Sequence, residues 1–360
     1  MSVSKQIHRF IFFCVRKSAR CFLYYPKVLA GLARRSLGKT SFIVDQAKGT
    51  RSFDNGNYAI FLIWQPKGLP WYVRNALDAL AAAKINVVVV ANHPLTAEMR
   101  AELTQASRHV LIRDNTGLDV GGYQDATAFI KDNFSVDRLL YLNDSIYFFR
   151  EGLTEFFTRL ISSKADLCAP FENWEITYHV QSFCFSMSRH LLDSAAVDGF
   201  WKKYVPVNSR LWAIRRGEIG LSRAAVPNAR TIDVLYTPKM IQSAMNDMQP
   251  HDRVALNKYL PIKIRKQQIK KAASGSMVDQ IGNHSQIHTG GFLYRKFGRC
   301  PIIKRDLVYR AQYSLYDVED CLEEVGHEGH LDDILADMRR KGNGLQLPFL
   351  KRALFIEGMI

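Results

Sequence analysis

Blocks of apolar residues alternate with mixed, helix-like segments from residue 57 onward. The runs at residues 57–64 and 85–92, the second rich in valine, are typical of strands buried inside a parallel sheet. A shorter strand is expected at residues 109–113, and helices are expected at residues 70–84 and 95–107. Strand and helix alternating at this spacing predict βαβ units and a mostly parallel sheet.

The next predicted strand has a polar interruption. In RLLYLNDSIYFF (residues 138–149), Asn143, Asp144 and Ser145 stand between apolar residues. A buried, unpaired carboxylate is costly, and parallel sheets bind ligands at the carboxyl ends of their strands. We therefore expect Asp144 to lie at the rim of the sheet and not in its core.

A glycine-rich segment, RDNTGLDVGGYQDA (residues 113–126), precedes that strand. It has neither the ending of a P-loop nor the spacing G-x-G-x-x-G. A tight turn before a capped helix would explain its glycines. Its position beside the Asn-Asp-Ser strand in one sheet favours ligand binding instead. The segment offers an arginine suited to phosphate, polar side chains, and glycines that let the backbone approach a ligand. The candidates are Arg113, Asn115, Gly117, Asp119, Gly121 and Gly122.

The second half of the chain is less regular and supplies further polar candidates. His179, Gln181 and Ser182 lie among aromatic residues, and a hydrogen-bonded core histidine is the alternative for His179. Glu218 stands at the predicted beginning of a helix. His284 and His288 come shortly before a glycine pair, and the acidic tail predicts one or two amphipathic helices.

Composition indicates an ordinary globular protein. The 360 residues are 47% hydrophobic and 23% charged, which is enough apolar material for a large core. The six cysteines are scattered without a C-x-x-C pair, which favours reduced thiols, a cytoplasmic location and no cysteine zinc site.

The net charge of +15 is concentrated at the amino terminus. Nine lysines and arginines but no acid precede Asp45, and aromatic residues lie between them. The longest apolar run there is too short to span a bilayer. We expect residues 1–40 to lie on an anionic membrane surface. A solvated arm, or a helix packed on its own domain, is the alternative. Nucleic acid is not expected as a partner, because no recognisable motif accompanies the charge.

Four motifs in this order resemble the rhamnan synthesis protein F family: RDNTGLDVGGYQDA, LLYLNDSIYFF, ITYHVQSFCFSMS and NHSQIHTGGFLYRKFGRCPIIKRDL. These are glycosyltransferases that build bacterial cell-surface polysaccharides. The strand order resembles the GT-A fold, so the expected fold class is an α/β nucleotide-sugar-binding sandwich around a mostly parallel sheet. The expected organisation is an arm at residues 1–50, a transferase domain at 51–310 (donor half 57–150, acceptor half 151–310) and a helical tail at 311–360.

The resemblance implies that the strand end at Asn143, Asp144 and Ser145 holds the donor diphosphate. GT-A enzymes carry Asp-x-Asp there and commonly bind Mg²⁺ or Mn²⁺, whereas here only Asp144 is a carboxylate. The implied divalent cation would bind Asp144 and His288, or His284 in its place. The alternative is a site without a metal, in which basic groups stabilise the diphosphate.

The resemblance also implies roles in the acceptor half. Glu218 is the expected general base, with His179 as an alternative and Glu175 and Asp166 as further candidates. Gln181 and Ser182 are expected to bind the acceptor or the donor sugar.

The implied activity is rhamnosyl transfer from dTDP-rhamnose to a lipid-linked polysaccharide, such as O-antigen, capsule or rhamnan, at the cytoplasmic face of the bacterial plasma membrane. A metal-dependent hydrolase or phosphotransferase, a catalytically degenerate sugar-nucleotide-binding scaffold and a nucleic-acid binder are the alternatives.

Overall fold

An eight-stranded sheet forms the centre of the computed structural model, which describes residues 10–15, 17–18, 20–270 and 276–359. The strands of this sheet and of two small two-stranded sheets are β1 (Ile43–Lys48), β2 (Asn57–Ile63), β3 (Asn86–Ala91), β4 (His109–Arg113), β5 (Arg138–Asn143), β6 (Ile146–Phe148), β7 (Leu167–Ala169), β8 (Glu172–Asn173), β9 (His179–Val180), β10 (Cys184–Ser188), β11 (Ile232–Val234) and β12 (Ile302–Lys304).

The large sheet has the order β1-β4-β3-β2-β5-β10-β7-β11. Parallel pairing joins β4 to β3, β3 to β2, β2 to β5 and β7 to β11, whereas β1 and β10 run antiparallel to their neighbours. The mostly parallel sheet is confirmed. The strand β1 was not predicted, because it falls in the segment expected to be an arm.

Helices cover both faces of the sheet and follow the predicted βαβ pattern in the first half. They are α1 (Tyr25–Ser36), α2 (Trp71–Ala82), α3 (Ala97–Ala106), α4 (Leu118–Asn133), α5 (Leu153–Ser162), α6 (Arg189–Leu192), α7 (Ala195–Lys203), α8 (Arg210–Trp212), α9 (Ile219–Ala225), α10 (Pro238–Asn246), α11 (Pro250–Ala255), α12 (Ile262–Lys270), α13 (Met277–Gly282), α14 (Gln286–Thr289), α15 (Gly291–Gly298), α16 (Leu315–Val325), α17 (Leu331–Lys341) and α18 (Phe349–Ile356).

Local chemistry explains where the first helices begin. Pro70 immediately precedes α2, where its fixed φ suits a helix start. The Thr96 hydroxyl accepts a hydrogen bond from the Met99 N–H and caps α3. Gly117, with φ of +83°, precedes α4 in the left-handed conformation that glycine adopts readily.

The strand β5 separates two apolar cores. Leu140 and Leu142 point to the face that packs against α2, α5 and the carboxyl-terminal helices. Leu139 and Tyr141 alternate to the opposite face, which packs against α4 and α7. Because every residue of β5 is buried, its carboxyl end is held rigidly in the middle of the sheet.

The predicted strand at residues 138–149 is divided in two. The chain leaves the large sheet after Asn143, and β6 pairs instead with β12, with Tyr147 opposite Ile303. The Asp144 N–H still donates to the Leu62 carbonyl, so the polar residues lie at the point of divergence. The strand thus ends where the polar residues begin, and Asn143, Asp144 and Ser145 lie at the sheet rim as expected.

The acidic tail forms two helices, α16 and α17, as one of the two expectations had it. In the parts of the chain that the structure describes, none of the helices has both the length and the apolar character required to cross a bilayer.

Candidate functional site

A cavity of about 380 Å³ opens at the carboxyl edge of the sheet, beside the end of β5. Both halves of the chain contribute to its walls. The residues singled out from the sequence that line it are Asp119, Asn143, Ser145, Gln181, Ser182, Glu218 and His288. Residues about 170 positions apart therefore meet in one place, which local sequence patterns alone do not establish.

The end of β5 presents a hydrogen-bonded polar group to the cavity. The Asn143 amide Nδ2 donates to Asp119 Oδ2 at 2.9 Å, and Asn143 Oδ1 accepts from the Ser145 hydroxyl at 2.6 Å. The Lys304 ammonium donates to Ser145 Oγ at 2.8 Å. Each of these side chains is thus positioned by its neighbour.

Asp119 has a perturbed acidity. Burial, reinforced by the negative charge of Asp144, raises the pKa of Asp119 to about 6. Its carboxyl group therefore takes up a proton at a higher pH than an ordinary aspartate does.

Glu218 lines the cavity at the start of α9. Its Oε2 accepts from the Ser182 N–H and hydroxyl, each at 2.7 Å, and its Oε1 lies 3.4 Å from His179 Nε2. Burial opposes ionisation, but the hydrogen bonds from His179 and Ser182 prevail and lower the pKa of Glu218. The carboxylate is thus ionised and oriented, as a general base must be.

His179 is the partner of Glu218 and does not line the cavity. It is buried, and its Nδ1 lies 2.8 Å from the Thr177 carbonyl oxygen. Burial disfavours its charge, yet Glu218 outweighs that effect and raises the pKa of His179. The geometry places His179 behind Glu218, where it orients the carboxylate.

A second chain of polar groups lines the opposite wall. Gln181 Nε2 donates to Ser285 Oγ at 2.9 Å, and Ser285 Oγ lies 2.7 Å from His288 Nδ1. His288 Nε2 lies 3.0 Å from Asp306 Oδ1. The buried Gln181 Oε1 has no hydrogen-bond partner among the described residues, so a bound hydroxyl or amide would satisfy it.

Sequence reasoning missed the cations of the cavity. Arg210, Lys304, Arg305 and Lys341 all line it. Lys304 and Arg305 end the fourth motif of the family resemblance, which was noted only as a whole, and nothing in their local sequence marks them as facing a cavity. Lys341 belongs to α17, in the tail expected outside the transferase domain.

Arg113 does not face the cavity, which corrects its expected role in phosphate binding. Its guanidinium is buried and donates to Asp125 Oδ2 at 2.9 Å, to Asn92 Oδ1 at 2.8 Å and to the Thr116 carbonyl at 2.8 Å. Its nitrogens are thus committed to holding the turn between β4 and α4.

The glycines of that turn also serve packing, which corrects their expected contact with the donor. A Cβ at Gly117 would lie 2.5 Å from Pro206 Cβ, and one at Gly121 would lie 2.4 Å from the Thr116 carbonyl oxygen. A Cβ at Gly122 would lie 2.2 Å from Leu62 Cδ1. None of the three lines the cavity, and neither does Asn115.

Asp144 points away from the cavity, so its expected roles in donor and metal binding do not match its position. Its Oδ2 accepts from the Trp64 N–H at 2.8 Å and from Gln65 Nε2 at 2.5 Å. His288, the other expected metal ligand, has both ring nitrogens engaged by Ser285 and Asp306. Within the described ranges, no group of three or more His, Cys, Asp or Glu side chains is arranged to hold a metal ion. These residues do not fit a divalent cation site.

The remaining candidates lie outside the cavity. Asp166 accepts from the Ser188 hydroxyl at 2.6 Å and from the Arg230 N–H at 3.0 Å, which is a structural role. Glu175 is exposed on the loop after β8, and His284 contacts the Gln280 carbonyl.

The comparison with known families identifies this chain. The model of the family described as rhamnan synthesis protein F matches residues 87–290, which are 204 of the 360 residues. The chain belongs to the rhamnan synthesis protein F family. The mostly parallel central sheet agrees with the α/β class expected from that resemblance.

A curated relative is the uncharacterized protein y4gN of Sinorhizobium fredii, with 26% identity over 245 residues. The match covers 65% of this chain and 63% of that protein, so the chain spans less than two thirds of its relative's length.

Solved structures show only a distant likeness. Staphylococcus aureus TarS 1–349 has 12% identity and a TM-score of 0.34 over 84% of this chain and 92% of that one. The glycosyltransferase GlyE of Streptococcus pneumoniae has 11% identity and a TM-score of 0.34 over 80% and 64%. Scores this low carry no conclusion about function.

Proposed function

We propose that this protein is a nucleotide-sugar-dependent glycosyltransferase of polysaccharide assembly and that Glu218 is its general base. The observation that carries the proposal is the convergence of Asn143 and Ser145, at the end of β5, with an oriented and ionised Glu218 in one cavity. A parallel sheet binds its ligand at this edge, and an inverting sugar transfer needs a base facing the acceptor.

The chemical step assigns a role to each wall of the cavity. Glu218 Oε1 takes the proton of the acceptor hydroxyl as the acceptor oxygen forms a bond to the anomeric carbon. The bond from that carbon to the diphosphate oxygen breaks, and the nucleoside diphosphate leaves with the electron pair. His179 holds Glu218 in position, and the unpaired Gln181 Oε1 accepts a hydrogen bond from a sugar hydroxyl.

Rhamnose from a dTDP-sugar is the proposed donor group, and the family described as rhamnan synthesis protein F supports this choice. A lipid-linked glycan at the cytoplasmic face of the membrane is the proposed acceptor. Its support is the apolar and basic surface of α1, where Leu29 is 65% and Leu32 is 44% exposed beside Lys27 and Arg34.

The activity is tested on the purified full-length chain. It is incubated with dTDP-rhamnose, UDP-glucose or GDP-mannose and a bacterial lipid extract, and release of nucleoside diphosphate and labelling of lipid are measured. Glu218→Gln keeps an acceptor for the Ser182 donors but removes the base. We expect it to lower turnover by about 10²–10⁴-fold with unchanged donor affinity.

Glu323→Gln is the matched control, because Glu323 is an exposed carboxylate of α16 outside the cavity. It should keep wild-type turnover. Binding of a nucleotide sugar without any turnover would favour the scaffold function instead, and binding of no nucleotide sugar would refute the proposal.

A further inference from the structure

Four lysine and arginine side chains line the cavity, two with a carboxylate partner and two without one among the described residues. Arg305 and Lys341 both bind Asp337, the first at 3.1 Å and the second at 2.8 Å. By contrast, Lys304 and Arg210 form no ion pair with any residue that the structure describes. Partly buried cations are costly when they are unpaired, so this pair is suited to an anionic ligand.

The carboxylates near these two cations already have other donors. Asp119 accepts from Asn143, and Glu218 accepts from Ser182. Asp306 binds His288 at 3.0 Å and Arg310 at 3.2 Å. The negative groups of the cavity are therefore satisfied locally and do not neutralise Lys304 or Arg210 by direct contact.

The Lys304 ammonium is held in place at the end of β5. It donates to Ser145 Oγ and lies 4.7 Å from the centre of the Phe183 ring, a cation–π contact. Since Ser145 follows Asn143 and Asp144 directly, the ammonium brings a positive charge to this strand end. A metal ion there would be repelled by the ammonium.

Arg210 approaches the same cavity from the acceptor half. It begins α8, and Ala213 and Ile214, which follow, also line the cavity. Its planar guanidinium has two edges suited to the oxygens of a phosphate group, whereas Lys304 supplies a point charge.

We propose that Lys304 and Arg210 together bind the diphosphate of a nucleoside diphosphate without a divalent cation. This inference rests on the proposed function, because it assigns a subsite of the same cavity. When the anomeric carbon–oxygen bond breaks, the negative charge stays on the diphosphate oxygen, next to a fixed ammonium group.

The test measures binding and not turnover. Titration calorimetry on the full-length chain follows dTDP, UDP and GDP, each with excess EDTA or with Mn²⁺. We expect a bound nucleoside diphosphate to have the same affinity, within about twofold, under both conditions. Lys304→Met should weaken that affinity about tenfold to a hundredfold, as loss of a charged hydrogen bond does.

Lys164→Met is the matched control. Lys164 is exposed on the loop before β7, at the opposite edge of the sheet, so the same charge is lost without an effect on affinity. Arg210→Met is the second variant and should also weaken binding at least about fivefold, which keeps the test decisive if Lys304→Met fails to fold.

Two results would overturn the inference and leave the proposed function intact. One is binding that requires Mn²⁺ and is lost in EDTA. The other is metal-free binding that neither Lys304→Met nor Arg210→Met weakens. If the wild-type chain binds no nucleoside diphosphate and no nucleotide sugar under either condition, the proposed function fails together with this subsite.

Discussion

The ion pair between Arg113 and Asp125 joins the end of β4 to α4, and both side chains are almost fully buried, at 0% and 2% exposed. Arg113→Met leaves the Asp125 carboxylate buried without its partner. We expect the free energy of unfolding to fall by about 3–5 kcal/mol. Chemical denaturation followed by circular dichroism measures the change.

The exposed pair of Arg74 and Glu102 provides the control for this experiment. Arg74→Met should cost about 1 kcal/mol or less, because water screens the pair. If Arg113→Met kept wild-type stability but lost affinity for nucleotide, Arg113 would be a phosphate ligand after all.

Asp119 gives the site a pH dependence whose sign follows from its raised pKa. Folding raises the pKa from an ordinary value of 3.8 to about 6, so the folded state binds the proton more tightly than the unfolded chain. Stability therefore falls as pH rises through the window between these values, and the penalty is complete above it.

Asp119→Asn removes that penalty and keeps an oxygen that accepts from Asn143. Relative to wild type, we expect a higher Tm for the variant at pH 8 and a difference that shrinks toward pH 4. Differential scanning fluorimetry at both pH values measures it. An equal difference at the two pH values would show that Asp119 does not titrate in this window.

At the scale of elements, the contact between α4 and β2 depends on Gly122. Gly122→Ala would place its Cβ 2.2 Å from Leu62 Cδ1 and force the helix or the leucine to move. We expect a loss of about 1–3 kcal/mol in the free energy of unfolding.

Gly199→Ala is the matched control in α7, because no atom lies within 4 Å of its added Cβ. This variant should gain about 0.5–1 kcal/mol from helix propensity. If both variants had the same stability in urea denaturation, close packing would not be the reason for Gly122.

Sequence patterns predicted those helices and strands that their own residues define. The strands β2, β3 and β4 and the two helices between them were found because apolar runs and helical periodicity mark them. Most residues of β1 are exposed, and β6 and β12 have three residues each. Such strands are defined by a distant partner, which sequence periodicity cannot reveal.

The candidate site was also predicted only where a local pattern marks its residues. Asn143 and Ser145 were found because polar residues interrupt an apolar strand. Lys304 was missed because a lysine in a basic stretch has no distinctive pattern, and its importance arises from a contact 159 positions away. Arg113 and Gly122 were expected to bind a ligand but serve packing. The sequence does not distinguish the two, because turns for packing and turns for binding have the same composition.

At the scale of the whole molecule, the amino-terminal segment contacts the region of α7 and α8. The Arg35 guanidinium donates to the Lys202 carbonyl at 2.8 Å, and the Tyr24 and Trp212 rings lie 6.5 Å apart. Phe12 contacts Phe349 of α18 with ring centres 5.4 Å apart. The amino-terminal segment thus packs against the segment that carries Arg210 and against α18.

The exposed apolar side chains of α1 predict binding to anionic vesicles. Leu29→Gln with Leu32→Gln removes two exposed apolar side chains from α1, and we expect affinity for phosphatidylglycerol vesicles to fall about tenfold or more. Co-sedimentation measures it. Val254→Gln, an exposed apolar residue of α11, should bind as wild type does. Equal binding of the double variant and wild type would exclude α1 as the membrane surface.

The pairing of β6 with β12 has a consequence for how the protein acquires its activity. Ser145 and Lys304 meet only after the two strands have paired, which requires closure of a loop of more than 150 residues. Contacts of such long range form slowly and late in folding. A nascent chain still lacking β12 therefore lacks the contact between Ser145 and Lys304, and binding of a ligand in the cavity would report that the two halves have assembled.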